Sequence, residues 1–255
     1  GSRCASRRQR YPCTVRARRK GDFMSKLTLD YPVYSLDRQM LLPAGTTLSE
    51  EDFSTLISSS SADYQKKFSL MQFGTVKKDV LDFIRQAPGN AVFSNKEELA
   101  EVLELMEQVQ LVRPELDSVE YFKKYDSYTY RHILMVFAYL TLLSKNLVPN
   151  YRARIREVET SPLHDFGKVC VPLEILTKAS PLTRDERKNL EHHTIAGYIL
   201  LCYNSQNVGT LAARVARDHH ERRNGSGYPR GISLSDQMVE IVAVCDIYDA
   251  LTSPR

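Results

Sequence analysis

The sequence predicts a mostly α-helical protein in which a small α+β region precedes a larger helical domain. After Lys66, apolar residues recur at the three- and four-residue spacing of amphipathic helices, and helix-capping residues stand ahead of several of these stretches. From Leu27 to about Ser61, short apolar runs are instead bounded by Pro and Gly, which is typical of small strands and tight turns. With 255 residues, 42% of them hydrophobic, the chain is long enough to bury an ample core.

The small region contains one predicted helix. Ser49 is followed by three acidic residues, which is the pattern of an N-cap and first helical turn, and Phe53, Leu56 and Ile57 form an apolar face behind it. Nothing in this region indicates catalysis, so we expect it to serve regulation or contacts within a homodimer.

The larger region is predicted to be an all-α domain of about seven helices. Their caps and apolar stripes place six of them. One is capped by Asn95 and ends near Pro114, one begins near Asp126 and carries His132, one leads up to Leu163, one is opened by a capping box at Thr183 and carries His193, and two cover about 208–220 and 237–251.

Charge is unevenly distributed along the chain. Residues 1–23 contain eight Arg and Lys against one Asp, which exceeds the net charge of +4, so the rest of the chain is acidic. We therefore expect no nucleic-acid polymer as a partner of the folded body. The chain begins Gly1-Ser2, whereas Met24 resembles a natural start, and we interpret 1–23 as a disordered leader outside the fold; an Arg-rich targeting peptide is the alternative.

Cysteine usage and hydropathy indicate a cytoplasmic protein. The five cysteines are odd in number and form no C-x-x-C pair, which suits a reducing compartment. The longest apolar run, 133–143, is far shorter than the roughly 20 residues that span a bilayer. We therefore predict no membrane span.

Histidines and acids cluster in a way that predicts a metal site. Four of the six histidines are His164, His193, His219 and His220, and the last two stand before a loop with two glycines and a proline. Neutral imidazoles and carboxylates together suit iron, manganese or zinc. The histidines therefore make metal-assisted chemistry the first hypothesis.

The His164-Asp165 pair adds a carboxylate that could bridge two ions, because its two oxygens can bind separately. Gly167 permits a sharp turn beyond the pair, and Lys168 returns a positive charge beside it. Such a pair alone is more often an ordinary polar helix end. The other histidines favour the metal site.

Helical spacing separates buried from exposed candidates. His193 is predicted to face the core, whereas its neighbour His192 points about 100° away and is expected to be exposed. His132 also stands among apolar residues, although either buried histidine could simply be a hydrogen-bonded core residue. Asp246 lies in an apolar helix and needs a cation or several donors, because burying an unpaired carboxylate is costly.

The ordered motifs of residues 115–255 strongly resemble the HD-GYP domain, a subgroup of the HD superfamily of metal-dependent phosphohydrolases. The motifs are His132, His164-Asp165-x-Gly167-Lys168, His193-x-x-x-Gly197, His219-His220-Glu221, Gly225-Ser226-Gly227-Tyr228-Pro229 and Asp246-x-x-Asp249-Ala250-Leu251-Thr252-Ser253. The resemblance implies an HD-superfamily helical bundle over 113–255, preceded by a small regulatory domain over 24–112.

The resemblance also implies a bacterial cyclic di-GMP phosphodiesterase with two divalent metal ions, iron or manganese, whose product is the linear dinucleotide or GMP. Asp165 and Lys168 would be catalytic, with Lys168 near the scissile phosphate. The implied ligands are His132, His164, Asp165 and Asp246 for one ion, and Asp165, His193, His219 and His220 for the other.

Several implied roles are less direct. Lys168, Arg222, Tyr228 and Arg255 would bind substrate, although Arg222 could be solvated surface and Tyr228 could instead face a signalling partner through the Gly-Tyr-Pro loop. Tyr128 stands where some members carry a third-metal glutamate, which favours two metals here.

The chain also stops near Arg255, where the family usually continues. We therefore expect a C-terminally truncated domain that is less stable or only partly active.

Two alternatives stay open for the function. One is hydrolysis of another cyclic nucleotide, such as cyclic GMP-AMP. The other is a catalytically weak signalling module that binds a cyclic dinucleotide or a protein partner.

Overall fold

The computed structural model describes residues 28–60 and 66–253, so the predicted leader 1–23 and Arg255 lie outside the described residues. The predicted mostly helical architecture is confirmed. The helices are α1 (Glu50–Ser58), α2 (Val76–Ile84), α3 (Gly89–Val92), α4 (Lys96–Glu107), α5 (Arg113–Tyr125), α6 (Ser127–Leu147), α7 (Tyr151–Val158), α8 (Leu173–Leu176), α9 (Arg184–Glu191), α10 (His193–Ser205), α11 (Leu211–Asp218) and α12 (Gln237–Thr252), with 3₁₀ segments Ser161–Leu163 and Phe166–Cys170.

Four short strands form two antiparallel pairs. In the first, β1 (Val33–Tyr34) pairs with β2 (Met40–Leu42), and α1 follows with the predicted cap, since the Ser49 hydroxyl accepts the amide N–H of Asp52. In the second, β3 (Lys67–Ser69) pairs with β4 (Gln110–Val112), so the prediction that the region after Lys66 is entirely α-helical was wrong.

The helix expected to end near Pro114 ends earlier, and this prediction was wrong. Helix α4 stops at Glu107, β4 follows, and Pro114 lies in the first turn of α5 rather than after a helix. The reason is that a first-turn residue needs no N–H for the helix, so proline is favoured there as much as beyond a helix end.

The 21-residue helix α6 is the centre of the larger region. Its N-cap is the predicted Asp126, whose carboxylate accepts the amide N–H of Thr129. Helices α2, α4, α5, α7 and α12 pack around it, and the side chains of Leu134, Phe137 and Leu140 are completely buried. Because His132 lies on this helix, the core fixes the position of one candidate ligand.

The helix predicted from Thr183 through His193 is two helices, α9 and α10, that meet at His192. The expectation that His192 is exposed was wrong, because this residue is 8% exposed and lies 5.6 Å from the ring of Tyr31 in an edge contact. Helical periodicity within the larger region cannot predict that a residue of the N-terminal region buries His192.

Helix α11 begins at Leu211 rather than near residue 208, because Thr210 is its cap and accepts the amide N–H of Ala213. Just before it, Gln206 adopts a left-handed conformation with φ of 51° and ends α10.

One hydrophobic cluster includes residues of both regions, from Val33 and Phe53 to Ile199 and Val242. Phe53 stacks on Tyr198 with 5.4 Å between ring centroids. Among the described residues, no helix combines the length and apolar character needed to cross a membrane.

A buried carboxyl group lies on α7, just before the segment that carries His164. Glu157 is fully buried, and neither of its carboxylate oxygens has a hydrogen-bond partner within 28–60 and 66–253. Burial, followed by the charge of Asp236, raises its pKa to about 8, while Arg214 opposes this rise. The native state therefore favours the protonated acid.

We predict that the Glu157→Gln variant loses less stability than the unmodified protein as the pH rises. In the unmodified protein, the unfolded state ionises above about pH 4.5 while the folded state stays protonated to about pH 8. The contribution of Glu157 is thus complete below pH 4.5 and is lost as the pH rises through 8, on the order of 5 kcal/mol. Denaturant unfolding at several pH values measures it.

The control for this experiment is Glu120→Gln, which neutralises an exposed acid in the same way. It should follow the unmodified protein. An identical pH dependence for Glu157→Gln and the unmodified protein would contradict the prediction.

Candidate metal centre

The structure brings six of the predicted ligands into two neighbouring groups. His132 of α6, His164 and Asp246 of α12 form one, and His193 of α10 with His219 and His220 after α11 forms the other. Within each group, one ligand atom from each residue lies within 4.8 Å of the others. Residues far apart in sequence therefore converge with the spacing that a shared ion requires.

Asp165 lies between the two groups and is almost completely buried. Its Oδ2 is 3.4 Å from Nε2 of His164 and 3.6 Å from Nε2 of His132. Its Oδ1 is 3.4 Å from Nε2 of His193 and 3.9 Å from Nε2 of His219. Each oxygen thus faces a different ligand group, which is the position that a bridging carboxylate needs.

Backbone carbonyls orient three of the imidazoles. The Nδ1 atom of His164 is 2.5 Å from the Ser161 carbonyl oxygen, and that of His193 is 2.6 Å from the Leu190 carbonyl oxygen. His219 has two such carbonyls at 3.0 Å. Because a carbonyl only accepts, each Nδ1 carries the proton and each Nε2 presents its lone pair to the centre.

Two of these Nε2 atoms fit a metal ion for a second reason. In the described part of the protein, Nε2 of His193 and Nε2 of His219 are buried and have no hydrogen-bond partner. A buried polar atom without a partner is costly, and a cation between these rings would supply one. The donor set of imidazoles and carboxylates suits iron, manganese or zinc.

The protonation states of the second group also favour metal binding. Burial lowers the pKa of His193 to about 3 and that of His219 to about 4. Burial and the neighbouring His219 and His193 lower the pKa of His220 well below its ordinary value. These rings are therefore neutral near pH 7, which is the form that binds a metal.

In the first group, carboxylates surround the His132 imidazole. Burial lowers the pKa of His132, but hydrogen bonds with Asp246 and Asp249 raise it to about 9. Burial raises the pKa of Asp165, yet Lys168 and His164 hold it well below the usual range. An ion binding at Nε2 of His132 must therefore displace a proton, so we expect binding there to release protons.

Lys168 lies at the edge of the centre. Its ammonium Nζ donates to Oδ2 of Asp165 over 2.6 Å, and 16% of its side chain is exposed. Burial lowers the pKa of Lys168, but the charge of Asp165 raises it overall, so the side chain remains an ammonium. This charge could contact a phosphoryl oxygen.

A backbone crossing brings Asp165 close to His193. A Cβ atom on Gly167 would lie 1.9 Å from the His193 carbonyl oxygen and 2.3 Å from the Gly197 amide nitrogen. The segment Phe166–Cys170 therefore touches α10 backbone to backbone, and only glycine fits at residue 167. The sequence predicts a turn at Gly167, and the contact with α10 is an additional reason for a glycine there.

Asp249 is a site residue whose role was not predicted from the sequence. It is completely buried, and its Oδ2 lies 2.8 Å from Nδ1 of His132. Its Oδ1 accepts the Ser253 hydroxyl at 2.8 Å and faces Arg131 at 3.5 Å. A second carboxylate one helical turn after Asp246 was the signal that could have identified it.

Glu221 was also named only as part of a motif. It is completely buried, and its carboxylate accepts the amide N–H groups of Arg230 at 2.7 Å and Ile232 at 3.0 Å. These bonds hold the Gly-Tyr-Pro loop against the end of α11. In that loop, the ring of Tyr228 stacks on His220 with 4.6 Å between centroids.

Arg222 and Arg255 are predicted substrate contacts, and Tyr128 stands at the position of the third-metal glutamate of some HD-GYP members. Arg222 is partly buried and donates from Nη1 to the carbonyl oxygens of His219 and Glu221. Tyr128 is parallel to the His132 ring at 6.4 Å. Arg255 lies outside the described residues, so its role and that of Arg222 stay predictions.

Known proteins match the part of the chain that carries these residues. A family model described as the HD domain matches residues 123–255. A cyclic di-GMP phosphodiesterase of Thermotoga maritima is 41% identical over 97 residues, 37% of this chain and 26% of that protein. The cyclic di-GMP phosphodiesterase response regulator RpfG of Xanthomonas campestris is 41% identical over 104 residues, 40% of this chain and 28% of that protein.

A third relative is named as an enzyme for a different nucleotide. The 3'3'-cGAMP-specific phosphodiesterase 2 of Vibrio cholerae is 36% identical over 97 residues, 37% of this chain and 19% of that protein. Among solved structures, Bd1817, a HDG"Y"P protein from Bdellovibrio bacteriovorus, aligns with 15% identity and a TM-score of 0.43 over 89% of this chain and 84% of that one. The matched part of this chain spans less than a third of the length of each of these three curated relatives.

We predict that Gly167→Ala disrupts the centre. The added methyl group cannot be accommodated between two backbones, so Phe166–Cys170 must move away from α10. We expect a loss of about 3 kcal/mol or more in the free energy of unfolding, together with loss of bound metal. Thermal unfolding and metal analysis measure both.

The matched control for this change is Gly209→Ala, where the nearest atom to the new Cβ would be 3.4 Å away. This variant should keep its stability and its metal. Retention of metal by Gly167→Ala at full stability would refute the backbone constraint.

We also predict that Asp249→Asn weakens metal binding. An amide can present its NH₂ group to Nδ1 of His132, which favours the tautomer with the proton on the ligating Nε2. We expect about a 10-fold to 100-fold loss of affinity for one ion. Titration with Mn²⁺ measures it, and Asp117→Asn, which neutralises a more exposed acid paired with Arg113, is the control. Equal affinities in the two variants would rule out this role.

Proposed function

The chain belongs to the HD domain family, and we propose that it is a metal-dependent phosphodiesterase that hydrolyses cyclic di-GMP. The observation that carries the proposal is the placement of Asp165, whose two oxygens face separate ligand groups. The curated names of two relatives supply the substrate class, because both are cyclic di-GMP phosphodiesterases.

The proposed centre holds two divalent ions. One is assigned to His132, His164 and Asp246, the other to His193, His219 and His220, and Asp165 is assigned to both. Iron or manganese is the expected metal, in keeping with the HD-GYP resemblance and with the donor set. When bound, two such ions supply an activated water and a clamp on phosphoryl oxygens for displacement at a phosphodiester.

The residues of the chain have separate tasks in this reaction. Lys168 places an ammonium beside Asp165, where it can neutralise charge that develops on the scissile phosphate. The carbonyls behind His164, His193 and His219 keep their Nδ1 protons in place, so these rings do not reorient during the reaction. The product would be the linear dinucleotide or GMP.

A second candidate substrate is the mixed cyclic GMP-AMP. The observation that favours it is the relative of Vibrio cholerae whose name specifies 3'3'-cGAMP. The metal-binding residues would serve either substrate, because both contain the same type of phosphodiester. Discrimination would depend on contacts with the bases.

Other expectations remain proposals of the same kind. These are a regulatory role for 24–112 before a catalytic domain at 113–255, a homodimer, a signalling partner at the Gly-Tyr-Pro loop, and a cytoplasmic location. The catalytically weak binding module is the rival that the next experiment addresses.

We expect anaerobic turnover of cyclic di-GMP by the purified chain loaded with Fe²⁺ or Mn²⁺. His219→Ala should abolish it, because this ring presents a buried and otherwise unpaired Nε2 to the centre. Chromatography of the nucleotides measures the loss of substrate and identifies the product. Parallel reactions with 3'3'-cGAMP compare the two substrates, and the ratio of kcat/KM values decides between them.

A control variant should separate metal binding from chemistry. Lys168→Met keeps all seven proposed ligands, so we expect bound metal with turnover reduced by about 100-fold or more. Absence of turnover in the unmodified chain with two ions bound would contradict the phosphodiesterase and favour a binding role.

A further inference from the structure

We propose that Tyr228 is a positioning residue that holds the metal ligand His220 in place through its aromatic ring. This inference rests on the metal centre of the proposed function. It gives the Gly-Tyr-Pro loop a task within the chain, distinct from contacts with substrate or partner.

His220 lacks the support that the other four histidines of the centre have. Each of those rings places its Nδ1 within 3.0 Å of a carbonyl or carboxylate oxygen. Nδ1 of His220 is instead 3.9 Å from Oδ2 of Asp246, which is too long for a hydrogen bond. In the described parts of the chain, no hydrogen bond fixes the rotation of this ring.

Aromatic contacts surround His220 instead. His219 lies 4.1 Å away and His193 lies 5.2 Å away, measured between ring centroids. Both of these rings are proposed ligands themselves. Tyr228 stacks on the imidazole at 4.6 Å with an angle of 24° between the planes, which is close to a favourable offset stack. Of these three rings, Tyr228 alone is not a proposed ligand.

The loop that carries Tyr228 is fixed to the same short segment that carries His220. The amide of Tyr228 donates to the His220 carbonyl oxygen at 3.3 Å. Gly227 packs so closely that a Cβ would lie 2.4 Å from that oxygen. Glu221 binds two amides of the loop, and Arg230 donates to both carboxylate oxygens of Asp218 at 3.0 Å.

These contacts fix the Gly-Tyr-Pro loop to the end of α11, and we call this fixed loop with its Tyr228 ring the brace of His220. The carboxylates of Asp218 and Glu221 lie on either side of His219 and His220 in sequence, and both bind the loop. Movement of the loop backbone at Tyr228 would therefore require the end of α11 to move with it. The tyrosine ring consequently limits how the His220 imidazole can rotate.

The ring and the hydroxyl of Tyr228 can be tested separately. Stacking needs only the ring, which Tyr228→Phe retains and Tyr228→Leu removes. A hydrogen bond to substrate would instead need the hydroxyl, which both variants lack. The matched control is Tyr151→Leu, which makes the same change at an exposed tyrosine on α7.

The experiment is a titration of the metal-free full chain with Mn²⁺ in the absence of substrate, followed by the electron paramagnetic resonance signal of the free ion. We expect two ions per chain for the unmodified protein, Tyr228→Phe and Tyr151→Leu. In Tyr228→Leu, one of the two ions should bind about tenfold more weakly, since the lost contact is a supporting one.

Two results would overturn the proposal that Tyr228 positions His220. One is Tyr228→Leu binding both ions as tightly as the unmodified chain. The other is Tyr228→Phe losing as much affinity as Tyr228→Leu, which would assign the effect to the hydroxyl. A chain that binds no metal would overturn the centre and the brace together, whereas two bound ions without turnover would overturn only the phosphodiesterase.

Discussion

The buried carboxylate of Asp165 is the constraint on which the site depends. An ionised acid in the interior is costly unless cations or donors surround it. Lys168 supplies one positive charge beside the Asp165 carboxylate. The Nε2 atoms of His164 and His193 each lie 3.4 Å from one of the two Asp165 oxygens. The helices are arranged so that partners from three segments reach one acid, and the same arrangement leaves ligand atoms on both of its sides.

Backbone carbonyls near the ends of two helices orient histidines of this centre. The last carbonyls of a helix have no partner within it, and the predicted ligand histidines stand close to such carbonyls. His219 follows α11 and bonds to the carbonyl oxygens of Val215 and Ala216, and His193 follows α9 and bonds to that of Leu190. Each of these rings is oriented by the carbonyl oxygen to which it donates.

Much of this could be predicted from the sequence. The caps at Ser49, Asn95, Asp126 and Thr183 are local signals and marked the starts of their helices correctly. Membership in the HD-GYP group, inferred from ordered motifs, is confirmed by the HD domain match and by relatives named as cyclic di-GMP phosphodiesterases.

What escaped prediction depends on contacts between distant segments. His192 is buried by Tyr31, and the partner of Asp249 is on α6, more than 100 residues earlier. The strand β4 pairs with β3, which no periodicity within its three residues reveals. The tight fit at Gly167 likewise depends on α10, whose backbone cannot be placed from residues 164–168 alone.

The shared core of the two regions has a consequence for how such a chain can change over evolutionary time. Phe53 stacks on Tyr198, Tyr31 covers His192, and the Cys170 thiol donates to the Tyr34 carbonyl oxygen. The N-terminal region thus contacts the segments that carry Lys168 and His193. Replacing it with an unrelated sensor would uncover apolar surface there, so the two regions are expected to be inherited, lost and recombined as one unit.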